Sequence, residues 1–401
     1  MDISELSGYK DFIWAIELNR PSLELIGLWP KINGISKRSL GCNIRADFTF
    51  IMIAFVLGIP LVHALIRVWG NMVLMIENLR ITLPMLSALL KLVVMQRKQS
   101  VLLSIVKMMK EDWMMLKLDA ERDIMMKCMR TARLIVICAY FMLVCTLSMV
   151  IILPWFGLSF RHLTNLTDRN RPLLLQSYYF YDTDKSPQFE LTYLTQIITL
   201  ILSLIVYASI DTFLVLVIFH VCGQLENFKD RLVNLIAGKE FNKVLGDNIE
   251  IHLRLIRYVD KIDDMYNLMM LGWVIYFGII ICLSGFVFIV MVNNKEINVA
   301  NLLQIYYIIT AITIYFMQMF FYCYAGELMI DQCEAVYRAV YDLEWYNWNS
   351  KQARNLIPVM VRVQQSFRIT AGKMIPLTMT TFCSLLKTSA SYISFLLAIQ
   401  N

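Results

Sequence analysis

Hydrophobic positions along this chain gather into seven runs, near residues 48–66, 72–95, 134–155, 192–222, 268–292, 299–325 and 374–399. A bilayer core takes about 20 apolar residues of helix, so each run predicts a membrane span. The second run is the weakest, because Glu77, Arg80, Pro84 and Lys91 interrupt it. Charges at such depth are tolerated when they face the bundle interior or a wet cavity. The helical period continues outside the runs. Leu225, Phe228, Leu232, Leu235 and Ile236 form one stripe, Ile251, Leu255, Val259 and Ile262 a second, and Leu328, Cys333, Val336, Val340 and Leu343 a third. The fourth and fifth spans are therefore expected to run on as helices beyond the bilayer. Asp211 then falls roughly 28 Å along the fourth span at about 1.5 Å per residue, and reads as an interfacial carboxylate.

The last run carries a polar stripe. Thr381, Ser384, Thr388, Ser391, Phe395 and Ala398 recur at alternating spacings of three and four, which puts all six on one helical face. Two readings stand. Small residues let a helix pack closely on its neighbours. Alternatively, a hydroxyl-rich face ending in apolar residues suits a water-filled pore with a constriction at one end.

Composition supports a polytopic membrane protein: of 401 residues, 58% are hydrophobic and 17% charged, against about 45–50% and about 25% in soluble domains. The first thirty residues are too polar for a secretory signal peptide. Charge placement sets the direction. With seven spans, twenty-eight Lys and Arg fall on the side holding segments 1–47, 96–133, 223–265 and 326–373, and six on the other. The positive-inside rule puts the N-terminus in the cytoplasm and the C-terminus outside. That orientation excludes a G-protein-coupled receptor, and its Asp-Arg-Tyr and Asn-Pro-x-x-Tyr motifs are absent. The Asn-x-Ser/Thr sequon at Asn165 lies in the outer loop 156–191, a candidate glycosylation site.

Other chemistries find no support. The nine cysteines form no Cys-x-x-Cys pair and the four histidines show no metal-ligand spacing, so free thiols and no metal site are expected. No catalytic triad, His-Glu-x-x-His or phosphate-cradling glycine loop is present, nor a pair of broken helices as in transporters. The expected fold is an all-α membrane protein of seven transmembrane helices. Its segments are a cytoplasmic N-terminal stretch 1–47, spans one to six in 48–325, a cytoplasmic anchor helix and linker 326–373, and the last span in 374–401. The cytoplasmic helical extensions would form an anchor domain.

One set of residues points to a family. Ala325-Gly326-Glu327 closes the sixth span, followed by Trp345-Tyr346, Arg362 with Gln364, and Thr370-Ala371-Gly372-Lys373. Phe382, Leu386-Lys387-Thr388-Ser389 and Ser391-Tyr392 complete the series, and Asn19-Arg20-Pro21 with Gly27-Leu28-Trp29-Pro30 opens the chain. In order and spacing these resemble the insect odorant receptor family, hymenopteran members in particular. Gln365-Ser366-Phe367 departs from it where many members carry a proline. The gustatory receptors share the topology and are the runner-up.

The resemblance implies a ligand-gated, poorly selective cation channel in the plasma membrane of olfactory neurons. It implies a tetramer with an odorant co-receptor, no cofactor and no nucleic acid. The loop between the fourth and fifth spans, only about 40 residues, lacks the co-receptor's long insertion, so the chain reads as the odorant-tuning subunit. By position, Thr388 and Ser391 would line the pore, and Phe395 and Ile399 would gate it beside Ala398. Lys387 would turn to a neighbouring helix or an inner vestibule. A pocket for a small apolar odorant is expected in the outer half of spans two to six. Its candidate residues are Asn78, Leu79, Ile151, Trp155, Tyr193, Ile197, Tyr306, Tyr307 and Thr310. Trp155 and Tyr193 also suit an interfacial aromatic belt. Tyr306 and Tyr307 point about 100° apart on a helix, so only one of them faces the cavity.

Overall fold

The computed structural model describes the chain apart from residues 1–2, 31–39, 116–117, 153, 155–163, 165–166, 168–170, 235–239, 294–298 and 401. For residues 3–6, 40, 293, 299–301, 396–397 and 399–400 only the backbone is described. Nearly all of the remainder is helix. Two short helices, α1 (Ile3–Ile16) and α2 (Arg20–Leu25), precede the first span. That span is built from α3 (Leu40–Ile51), a π-helical stretch at Met52–Gly58, and α4 (Ile59–Arg67). There follow α5 (Met72–Arg97), α6 (Gln99–Met115), α7 (Asp119–Ile152), α8 (Gln188–Val233), α9 (Phe241–Asn293) and α10 (Val299–Tyr341). The chain ends with α11 (Ser350–Val363), a small hairpin and α12 (Met379–Gln400).

Six of these segments, starting at Gly41, Met72, Asp119, Gln188, Phe241 and Leu302, are long and apolar enough to cross a bilayer. The 22 residues of α12 supply about 33 Å of helix and make the seventh span. Asn71 caps α5 by accepting the Leu74 N–H at 3.3 Å, as an N-cap side chain does. The central helix is α8, buried from Val206 to Leu225 on nearly every side. It packs on α5, α7, α9 and α10. The 46 residues of α8 and 53 of α9 run well past the bilayer, as their stripes predict.

Ion pairs between elements hold the cytoplasmic ends together. Arg122 on α7 contacts Asp11 on α1 at 2.6 Å, and this carboxylate beside it raises the guanidinium's pKa above its ordinary value. Arg231 on α8 meets Glu121 on α7 at 2.6 Å. Asp112 on α6 accepts from Arg254 on α9 at 2.8 Å and lies 3.1 Å from the His220 ring on α8. The N-terminal motif packs against the same helix: Asn19 Nδ2 donates to Thr212 Oγ1 at 3.1 Å, and Trp29 meets Phe213 edge-on at 6.3 Å. All nine cysteines are free thiols.

Three expectations need correction. The linker expected in the later part of 326–373 holds a further helix, since α11 buries Leu356, Val359 and Val363 on one face. The last helix starts at Met379 rather than 374, because Thr370–Ala371 (β1) pairs antiparallel with Ile375–Pro376 (β2). Gly372 and Lys373 turn that hairpin with φ of 64° and 58°, the left-handed region that helix excludes. Asp211 is not interfacial: it is 7% exposed, inside the bundle.

Candidate ligand-binding cavity

A cavity of about 770 Å³ lies between α5, α7, α8 and α10. On α8 it is lined from Leu200 to Val215, roughly 22 Å of helix at about 1.5 Å per residue. It is therefore long and narrow. Its walls are apolar, with Ile81, Met85, Leu147, Val150, Leu175 and Leu204 among them. Ile137 and Phe141 on α7 and Thr313 and Met317 on α10 line it while remaining exposed, so the cavity opens sideways between those two helices. Volume and lining match the concave, mostly apolar sites that bind small molecules.

Polar groups sit at two levels. Toward the cytoplasmic end, Lys91 Nζ lies 2.6 Å from both carboxylate oxygens of Asp211. Gln318 Nε2 donates to Asp211 Oδ2 at 2.6 Å, and its Oε1 accepts the Tyr207 hydroxyl at 2.9 Å. Lys91 Nζ also stands 3.7 Å over the Tyr207 ring, a cation–π contact. Toward the outer end is Arg80, 5% exposed, with its Cζ 4.9 Å from the Tyr307 ring centre. The charges interrupting the second run thus face the bundle interior, as their depth requires. Leu175 belongs to the cavity wall, and the adjoining outer segment is pinned by Gln196, which donates to Ser177 Oγ at 2.7 Å and Tyr179 Oη at 3.0 Å. Burial there pushes the Tyr179 phenol up to about 12.

Of the sequence candidates, Tyr307 and Thr310 line the cavity. Tyr306, one position away, is 53% exposed on the outside of α10. Asn78 is fully buried but committed elsewhere: it donates to Gln176 O at 3.0 Å and accepts from Thr82 at 2.8 Å. Tyr193 and Ile197 do not line the cavity but pack in the apolar cluster that holds its wall residues Met85, Val150, Leu175 and Leu200, and Tyr193 faces Phe189 at 5.9 Å. Leu79 and Ile151 are half-buried off the cavity. Trp155 and Asn165 lie outside the described residues. Sequence reasoning missed Tyr207, Asp211, Tyr315 and Gln318 as lining residues. Lys91 in the second run and Asp211 in the fourth were the available signal, as two opposite charges in neighbouring spans.

Aromatic packing connects the cavity with α12. Tyr315 and Tyr322 line it and contact Trp273 on α9 at 6.2 and 6.3 Å. Phe277, which touches Trp273, meets Phe316, and Phe316 meets Phe382 on α12 edge-on at 6.3 Å. Glu327 on α10 accepts the backbone N–H of Met379, the first residue of α12, at 3.0 Å. On α12 itself, Phe382, Leu386, Ser389 and Ile393 turn toward the bundle. Ser384, Lys387, Thr388, Ser391, Phe395 and Ala398 are exposed on the other side. The Thr388 and Ser391 hydroxyls donate to carbonyls one turn back, at 2.8 and 3.0 Å. The side chain of Ile399 lies outside the described residues.

The sequence model of the family described as 7tm Odorant receptor matches residues 71–390. Among curated relatives, Odorant receptor 13a of Drosophila melanogaster is 26% identical over 281 residues, 64% of each chain. Odorant receptor 10 of Aedes albopictus is 27% identical over 230 residues, 55% of this chain and 58% of its own length. The chain thus matches less than two thirds of either relative. The solved structure of the insect olfactory receptor OR5 from Machilis hrabei in complex with eugenol superposes with a TM-score of 0.81 at 13% identity, covering 97% of this chain and all of that one. That likeness establishes a common seven-span fold.

Proposed function

This chain belongs to the 7tm Odorant receptor family, and we propose that within it the chain is an odorant-tuning subunit of a ligand-gated, non-selective cation channel. In this reading it works as a heterotetramer with an odorant co-receptor in the plasma membrane of olfactory sensory neurons. The observation that carries the reading is the apolar cavity of about 770 Å³ inside the bundle, large enough for a small volatile or hydrocarbon. The related Machilis hrabei receptor was solved with eugenol, which supports a small-molecule ligand for this cavity too.

The last helix supports the channel half of the proposal. Its hydroxyl stripe is uncovered by its own chain, as a pore wall shared among subunits must be. Thr388 and Ser391 line the pore in this reading, and Phe395 with Ala398 and Ile399 forms an apolar ring that excludes water until the helices part. Ligand in the cavity presses on Tyr315 and Tyr322, and the aromatic contacts through Trp273, Phe316 and Phe382 carry the change to α12. The ion-paired cytoplasmic helices, with residues 326–373, serve as the anchor between subunits.

Whole-cell recording tests this with the chain expressed with and without a co-receptor, against volatiles and cuticular hydrocarbons. A fast cation current that requires both the ligand and the co-receptor is expected. Current from this chain alone would contradict the tuning-subunit assignment.

A further inference from the structure

Two cations of α5 lie buried beside the cavity, eleven positions apart. Lys91 is fully engaged by Asp211. Arg80 is not. Its Nε and Nη2 are buried and meet no hydrogen-bond partner among the described residues. A guanidinium stays charged at any ordinary pH and offers five N–H donors. The face of Tyr307 at 4.9 Å compensates part of that charge but accepts no conventional hydrogen bond from Nε. Glu77, three residues earlier, is buried yet does not line the cavity.

The serine and threonine hydroxyls around the cavity are already used. Thr146, Ser203, Thr212, Thr310 and Thr313 line it, and each hydroxyl donates to a carbonyl of its own helix. Tyr207 donates to Gln318, and Gln318 to Asp211. Arg80 is therefore an open donor group at the outer end of a long apolar chamber. A buried charge left unpaired is costly, and the partner that relieves it best is an oxygen acceptor in the plane of the fork.

We infer that the ligand of this cavity is a hydrocarbon bearing an oxygen acceptor, a carbonyl or carboxylate, that seats on Arg80 while its chain runs along α8 toward Gln318. The inference rests on reading this cavity as the odorant pocket. It divides candidate ligands sharply: a plain alkane fills the chamber but leaves Arg80 unpaired, whereas a ketone, ester or fatty acid of the same length satisfies it.

The test measures binding of chain-matched alkane, ketone and carboxylic acid to the purified full-length protein in lipid nanodiscs. The wild type is expected to bind the ketone or the acid about tenfold or more tighter than the alkane, the size of one charge-assisted hydrogen bond. Which of the two leads identifies the acceptor. Arg80→Met, which keeps the apolar stem, is expected to erase that gap. Arg80→Lys keeps the charge without the fork and is expected to retain part of the gap. The wild-type ranking needs no variant, so misfolding of Arg80→Met does not shelter the inference. An alkane that binds as tightly as the oxygenated ligands, or a gap that survives Arg80→Met, overturns it and leaves the pocket reading standing. Ala311→Trp, which fills the chamber from α10, separates the two cases: if no member of the series binds wild type, or if binding survives Ala311→Trp, the pocket reading falls and the inference with it.

Discussion

Lys91 on α5 and Asp211 on α8 are 120 positions apart in the chain and meet at 2.6 Å inside the bundle. Their contact ties two spans together at the inner end of the cavity, and Gln318 from a third span completes it at 2.6 Å from Asp211. Breaking a buried pair by removing one member costs about 3–5 kcal/mol, because the survivor is left uncompensated. Replacing both by apolar residues costs far less. Lys91→Met alone is therefore expected to lower the thermal midpoint of the detergent-solubilised protein strongly. The double variant Lys91→Met/Asp211→Leu should recover most of the loss. Additive losses in the two single variants and the double would contradict the pairing.

The Glu327 carboxylate accepts the Met379 N–H at 3.0 Å, which anchors the start of α12 to α10. Loss of such a cap costs about 1 kcal/mol locally. Glu327→Ala is expected to speed amide hydrogen exchange over the first turn of α12, and Glu327→Gln to restore much of the protection. Exchange rates there that ignore both substitutions would show that the helix start is held by something else.

Gly326 lies against the backbone at Leu377 so closely that a Cβ would come within 2.1 Å of Leu377 O. Backbone cannot give way as a flexible side chain can. Gly326→Ala is expected to destabilise the protein by roughly 1–3 kcal/mol, as overpacking does. Gly278→Ala is the control, since nothing lies within 4 Å of that position, and helix propensity there favours alanine by up to about 1 kcal/mol. Equal melting of the two variants would refute the steric argument.

His252 on the cytoplasmic part of α9 is stacked on Phe228 at 5.2 Å and tilted against Phe367 at 5.9 Å. Burial first, then the charge of Arg362, lowers its pKa from 6.5 to about 4. The sign follows from the depressed value. Above pH 6.5 the ring is neutral whether folded or unfolded, and its contribution is whole. As pH falls from about 6.5 toward about 4 the unfolded chain takes up the proton first, so stability is lost by an amount on the order of 3 kcal/mol. Melting temperatures measured across that window should fall more steeply for wild type than for His252→Phe. Parallel curves would exclude His252 as the source.

Much of the architecture is legible in the sequence because hydrophobic length and helical period are local signals. The long runs give six of the spans, and stripes such as Leu225 to Ile236 announce the extensions of α8. The start of α12 is not legible in that way. Met374 and Ile375 continue the apolar run, and only the left-handed backbone at Gly372 and Lys373 shows the hairpin. In α11, Pro358 obscures a regular pattern. The cavity was the hardest part to read. Its polar pairings join residues far apart in sequence, and Asp211 without Lys91 beside it looks like an ordinary interfacial acid. Choosing between Tyr306 and Tyr307 requires the rotational setting of α10, which neighbours impose. Asn78 has the chemistry of a ligand group, but Gln176 and Thr82 already occupy it.

The central claim is that ligand occupying this chamber opens the channel. Its most direct test is the concentration–response of ligand-evoked current in cells co-expressing the co-receptor, for wild type and for Ala311→Trp at equal surface expression. The account predicts a saturable current in wild type that Ala311→Trp abolishes or shifts to far higher concentration. An unchanged response with the chamber filled would contradict it, and would put the ligand somewhere else on the assembly.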